Sequence, residues 1–185
     1  MRAFVALELP DEVRRAGAAL GARLAEVAAV RPVPEGQLHL TLKFLGDIDE
    51  RQGVQLGSAL AAETWPSMRL QLRGLGQFPP RGAPHVVWAG VEGDLQRLSE
   101  VAGRVETLAS AVGVPAETRP FRAHVTLGRC RSPRGALALG EMLRERAAGP
   151  LGPPFAAPAV ALFRSDVGGE GAVHRALVRV PLPAP

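Results

Sequence analysis

His39-Leu40-Thr41-Leu42 and His124-Val125-Thr126-Leu127 carry one pattern twice, 85 residues apart. The chain has four histidines and five threonines, and two of each fall in these tetrapeptides. Residues that scarce do not pair up twice at one spacing through composition alone. His-aliphatic-Thr-aliphatic is strict alternation, so each segment predicts a β-strand with two faces. Leu40 and Leu42, like Val125 and Leu127, point into a core. His39 and Thr41, like His124 and Thr126, share the opposite face about 6–7 Å apart, twice the rise per strand residue. Two such strands facing one another make a cleft with two imidazoles and two hydroxyls.

Outward from these strands the two halves follow one plan. Arg2 to Leu9 is apolar enough for a buried strand, and Pro10-Asp11 opens a helix with Val13, Leu20, Leu24 and Val27 on one stripe. Pro32 and Pro34 end that helix, and Gln37 to Leu45 is the first histidine strand. Asp47 to Glu63 predicts a second helix. Met68 to Leu75 and His85 to Val91 predict two strands across the turn residues Phe78 to Gly82. In the second half, Asp94 to Val112 predicts a helix and Arg122 to Arg129 the other histidine strand. A short helix over Arg134 to Ala148 follows. Ala159 to Arg164 and Val173 to Val180 then pair across a Gly168-Gly169-Glu170-Gly171 turn. Antiparallel strand pairs with segregated helices indicate an α+β fold. The expectation is a single domain over 1–185 with two lobes, about 1–92 and 93–185, strand exchange between them being left open. Each lobe would hold one antiparallel sheet. A pseudo-twofold axis would relate the two, with helices outside and a central cleft.

Composition narrows the class. Apolar residues make up 46% and charged residues 22%, as in ordinary soluble domains. Arginine supplies 21 of the 22 basic residues, Lys43 being the sole lysine; the net charge of +4 suits an anionic ligand. The densest basic cluster is Arg119, Arg122, Arg129, Arg131 and Arg134, suited to an RNA backbone or simply to a solvated face. A lone cysteine, Cys130, excludes an intramolecular disulfide. The N-terminal stretch carries Glu8 and Pro10 where a signal peptide needs a longer apolar run. The longest apolar run, Phe155 to Phe163, is too short to span a bilayer. The expectation is a cytoplasmic monomer that touches no membrane.

Two histidines on facing strands suit proton transfer, because an unperturbed imidazole titrates near neutral pH and one can be neutral while the other is charged. Hydrolysis of a cyclic phosphodiester needs that pair: a base for water and an acid for the departing sugar oxygen. Hydroxyls beside them hold nonbridging oxygens as charge builds. Histidines without carboxylates or thiolates at ligand spacing make a poor metal site, so neither metal nor cofactor is expected.

These residues resemble the 2H phosphoesterases, and within them the bacterial and archaeal RNA 2′,3′-cyclic phosphodiesterases, historically called 2′-5′ RNA ligases. The resemblance covers nearly the whole chain and includes Arg2 to Leu7, His39 to Gly46 and Arg119 to Arg129. It implies that His39 is the proton donor to a leaving 3′ oxygen and that His124 is the proton acceptor that activates water. Thr41 and Thr126 would bind phosphate, the substrate would be RNA ends or nucleotides with a 2′,3′-cyclic phosphate, and the product would carry a 2′-phosphate. Arg129 matches a basic position near the phosphate, although strict alternation from His124 turns it away unless Gly128 permits a bulge or the strand has ended by then. Family members often have proline where this chain has Ala123. Phe4 and Phe44 are candidates for stacking on a base, with core packing the other reading. His85 and His174 read as structural histidines, and Cys130 as filler rather than a nucleophile. Two alternatives stand beside hydrolysis: RNA ligation, the reverse reaction, and a noncatalytic RNA or nucleotide binding module.

Overall fold

In the computed structural model, described over residues 1–168 and 171–184, the chain runs β1 (Arg2–Glu8), α1 (Asp11–Val27), β2 (Val30–Pro32), β3 (His39–Asp47), α2 (Glu50–Ala62), β4 (Arg69–Phe78) and β5 (Val86–Gly93). It continues through α3 (Leu95–Ala111), β6 (His124–Cys130), α4 (Ala136–Glu145), β7 (Phe155–Ala156), β8 (Ala159–Gly168) and β9 (Gly171–Pro181). Gly169 and Glu170 of the expected last turn lie outside the described residues. Among the described residues no helix is long and apolar enough to cross a membrane.

The fold is α+β, with a correction to its sheets. One nine-stranded sheet replaces the two expected, in the order β7-β4-β5-β6-β3-β1-β8-β9, with β2 also paired to β6. Every strand pair is antiparallel. The fusion occurs at β3 and β6, joined by the single register pair Leu40↔Val125. Two histidine strands meeting as sheet edges would each leave backbone N–H and C=O groups without partners; pairing with each other removes that cost.

The two sides of this seam repeat one register. Phe4, Ala6 and Glu8 of β1 oppose Phe44, Thr41 and His39 of β3. Val86, Trp88 and Gly90 of β5 oppose Arg129, Thr126 and His124 of β6 in the same way. Both ladders slip by one residue at matching places, past Leu42 in β3 and past Leu127 in β6. Such a bulge sets two successive side chains on one face and flips the parity beyond it. Leu42 and Lys43 are accordingly both buried, as are Leu127 and Gly128.

Helices cover the leucine face. Gly17 and Gly21 of α1 pack against Leu127, and Gly57 of α2 packs against Leu162 and Val178. From α3, Glu106 takes two hydrogen bonds from the Lys43 ammonium, at 2.8 and 2.9 Å. The α1 stripe buries Val13, Gly17, Leu20, Gly21 and Leu24 at helical spacing. Val27, expected on that stripe, is instead 38% exposed at the last residue of the helix. α2 starts at Glu50 rather than near Asp47 because Asp49 and Gln52 form a reciprocal capping box. Strands β2 and β7 are additions, three and two residues long, too short for alternation to mark. Pro32 lies within β2 and does not itself end α1.

Leu40 is fully buried at the only β3–β6 register pair. Leu40→Ala should cost about 2–5 kcal/mol by loss of burial and a residual cavity. Chemical denaturation measures this. Phe44→Ala serves as the contrast, since Phe44 is 67% exposed, and should change stability by less than about 1 kcal/mol. Equal effects would mean that the seam is not the packed centre of the fold.

Candidate active site

The leucine face of β3 and β6 packs under helices, so the opposite face holds His39, Thr41, His124 and Thr126. Antiparallel register about Leu40↔Val125 sets His39 toward Thr126 and Thr41 toward His124. Directly opposed Cβ atoms in such a pair are about 4.5–5.5 Å apart, and diagonal neighbours about 7–8 Å apart. The two imidazoles therefore occupy one diagonal of a four-residue patch and the two hydroxyls the other. All four side chains are partly exposed.

Both histidines are anchored alike. Nδ1 of His39 donates to the Gln37 carbonyl at 2.7 Å, and Nδ1 of His124 donates to the Arg122 carbonyl at 2.8 Å. A carbonyl only accepts, so each Nδ1 carries the proton and each Nε2 is the working nitrogen. Each bond reaches two residues back to the segment that enters the strand, which ties ring orientation to the strand start.

Their surroundings differ. His39 stacks on Phe4 at 4.6 Å between ring centroids, with Phe163 at 6.2 Å. His174 stands edge-on to His39 at 5.4 Å and to Phe4 at 4.9 Å. His124 meets the edge of Phe78 at 5.1 Å, with Trp88 at 6.2 Å. Gly76 makes the Trp88 position possible, since a Cβ there would lie 2.2 Å from the indole ring. Burial pushes the His39 imidazole down from 6.5 to about 4; the Gln37 carbonyl opposes this, while the charges of His174 and His124 add to it. Burial also lowers His174.

The other expected residues fall as follows. Arg129 stands beyond the Leu127 bulge and opposite Val86, two residues from Trp88 on β5, so it shares the face of Thr126 rather than turning away. The corresponding bulge in β3 brings Phe44 onto the face of His39, tilted at 6.3 Å from Phe4. Phe4 is 3% exposed and packed among His39, Phe163 and His174; core packing describes it, and little of its ring is open to a base. Cys130 is partly buried, which raises its thiol above the ordinary range and leaves it a poor nucleophile. His174, read from sequence as structural, stands beside His39 with its Nδ1 buried and without a partner. The signal for it was weak: in β9 it shares parity with Ala176, which opposes Phe163. Phe78, Trp88 and Phe163 were likewise missed, since aromatic residues in strands usually mean core. Among the described residues no three His, Cys, Asp or Glu side chains are grouped to hold a metal ion.

The sequence pattern of the family described as LigT like Phosphoesterase matches residues 7–88 and again 90–173, one match per half. An RNA 2′,3′-cyclic phosphodiesterase of Thermus thermophilus is 41% identical over 140 residues, 72% of this chain and 70% of that protein. One from Aeropyrum pernix is 32% identical over 151 residues, 82% of this chain and 85% of that protein. Among solved structures, TT0787 of Thermus thermophilus superposes with a TM-score of 0.79 at 31% identity, covering 98% of both chains. E. coli LigT complexed with 3′-AMP gives 0.78 at 26% identity, covering 99% of this chain and 98% of that one.

The lowered His39 value has a consequence for stability. The unfolded chain binds a proton on this residue at a higher pH than the folded chain does, so folding becomes less favourable as pH falls from about 6.5 to about 4. The shift corresponds to a loss on the order of 3 kcal/mol across that window. Denaturant titrations at pH 7 and pH 4.5 should show the loss, and His39→Gln should reduce it. An undiminished loss in that variant would place the acid sensitivity elsewhere.

Proposed function

We propose that this chain, which belongs to the LigT-like phosphoesterase family, is an RNA 2′,3′-cyclic phosphodiesterase that opens a terminal 2′,3′-cyclic phosphate to a 2′-phosphate. The observation that carries the reading is the matched pair of imidazoles. They stand on adjacent strands, each with Nδ1 tied to a carbonyl two residues back and Nε2 left free. A binding module has no use for a matched acid and base. The curated relatives named for this activity support the same reading.

The cyclic phosphate would sit over the Leu40–Val125 seam. Thr41 and Thr126 donate hydroxyl hydrogen bonds to its nonbridging oxygens, and the Arg129 guanidinium offsets the charge that builds there. Nε2 of His124 takes a proton from water as the oxygen attacks phosphorus. The P–O3′ bond breaks, and Nε2–H of His39 supplies the proton to O3′. The products are a 2′-phosphomonoester and a 3′-hydroxyl, with His124 protonated and His39 neutral. Exchange with solvent restores both, and no metal takes part in these steps. In the ligand-free protein His39 holds its proton weakly. The anionic phosphate beside it favours the charged form and makes it available as donor.

One observation favours a second reading. Because burial keeps His39 neutral at neutral pH, it is suited to be the base, with His124 the acid. The roles of the two sugar oxygens then exchange, and the phosphate is left on the 3′ oxygen.

His39→Ala and His124→Ala should each lower turnover of an oligonucleotide ending in 2′,3′-cyclic phosphate by about 10²–10⁴-fold, with activity unaffected by EDTA. Loss in EDTA that a divalent ion restores would overturn the metal-free mechanism. Phosphorus NMR of the product separates the two readings. A 2′-phosphate assigns His39 as donor, and a predominant 3′-phosphate assigns the exchanged roles.

A further inference from the structure

Strand β2 places Arg31 directly opposite Arg129 of β6, between the pairs Val30↔Cys130 and Pro32↔Gly128. Directly opposed residues of an antiparallel pair project from the same face. Arg31 therefore stands on the face that carries Arg129 and Thr126, one strand spacing of about 4.8 Å to the side. Both arginines are exposed. No ion pair or side-chain hydrogen bond among the described residues includes either of them. Like charges directly opposite one another on a sheet are destabilising, and among the described residues no acidic side chain forms an ion pair with either. The approach is also enforced by the backbone. A Cβ on Gly128 would lie 2.5 Å from Val30 and 3.0 Å from the Arg31 carbonyl, so only glycine lets β2 lie this close to β6.

We propose that Arg31 is an anion-binding residue that holds the phosphate on the 5′ side of the terminal nucleotide, beside Arg129 at the scissile phosphate, so that the site selects an RNA chain over a cyclic mononucleotide. This rests on the cyclic phosphodiesterase reading, which centres the scissile phosphate on Thr41 and Thr126. The Leu127 bulge carries Arg129 onto the same face, at the edge of that phosphate. β2 pairs with the edge of β6 that β3 also uses, further along β6 than the Val125 pair, so Arg31 widens the positive surface beside Arg129, where a second phosphate of the same strand would lie. A single-stranded segment meeting two guanidiniums relieves their repulsion, whereas a cyclic mononucleotide has no second phosphate to offer.

The test compares wild type, Arg31→Ala and Arg31→Lys on two substrates, a nucleoside 2′,3′-cyclic monophosphate and a trinucleotide ending in 2′,3′-cyclic phosphate. Arg31→Ala should lower kcat/KM on the trinucleotide about five- to tenfold more than on the mononucleotide, chiefly through KM. The salt dependence of trinucleotide kcat/KM should flatten by about 0.7 in log–log slope, the share of one phosphate on a single strand. Arg31→Lys should recover part of the loss, and the melting temperature of Arg31→Ala should hold or rise as the like-charge contact is removed. An equal effect on both substrates, or none on either in a folded variant, overturns the inference. Binding of the product-like trinucleotide 2′-phosphate and of a nucleoside 2′-monophosphate, read by fluorescence titration, decides the matter independently of turnover. If wild type hydrolyses neither substrate, the catalytic reading fails. The inference itself then fails only if Arg31→Ala also binds the trinucleotide as tightly as wild type does.

Discussion

Everything at the candidate site hangs on one backbone pairing, Leu40 against Val125. That contact is the entire register between β3 and β6, and it performs two tasks. It fuses what would be two edge strands into one sheet, pairing their backbone groups at that position. It also fixes which side chains oppose each other on the far face. Since side-chain direction alternates with period two, a slip of either strand by one residue would turn its histidine into the helix-packed core. Leu40, Val125 and Leu127 are fully buried, and a one-residue slip of their strand would turn them out of the core.

The paired bulges show how one backbone device yields different chemistry in each half. Past Leu42 the chain turns Lys43 toward α3, where Glu106 and the Pro115 carbonyl hold its ammonium, and Phe44 is left on the open face. Past Leu127 the small Gly128 takes the position of Lys43, β2 moves in against it, and Arg129 is left on the open face. One flank of the four-residue patch thus presents an exposed aromatic ring and the other presents cations. A ligand with a base at one end and phosphate at the other meets complementary surfaces on the two sides.

The histidines are likewise equivalent in anchoring and unequal in setting. Equal anchoring follows from equal strand starts, each ring bonded two residues back. Unequal setting follows from the neighbours that the sheet supplies: Phe4 from β1, Phe163 from β8 and His174 from β9 enclose His39, whereas Phe78 and Trp88 flank the more open His124. Removing water from around an imidazole disfavours its charged form. The sheet order therefore lowers the proton affinity of His39 through neighbours that its motif does not specify.

The sequence by itself determined the parts whose signal is local. Alternation in His39 to Leu42 and His124 to Leu127 marked the two strands and their two faces, and the helical stripes of α1 and α3 were readable at 3.6-residue spacing. That two histidines and two threonines share one face follows from that alternation; which histidine is donor and which acceptor came only from the family resemblance. Only the tertiary structure decided what depends on a partner strand. The bulges at Leu42 and Leu127 exist only relative to β1 and β5, so the face of Arg129 could not be read from its own strand. β2 has three residues and no period to detect; it is a strand only because Gly128 admits it, and with it come Arg31 and the charge pair. His174 reaches His39 across three intervening strand pairings, a distance of 135 residues along the chain. Periodicity reports what a segment buries, and the sheet's register decides what that segment meets.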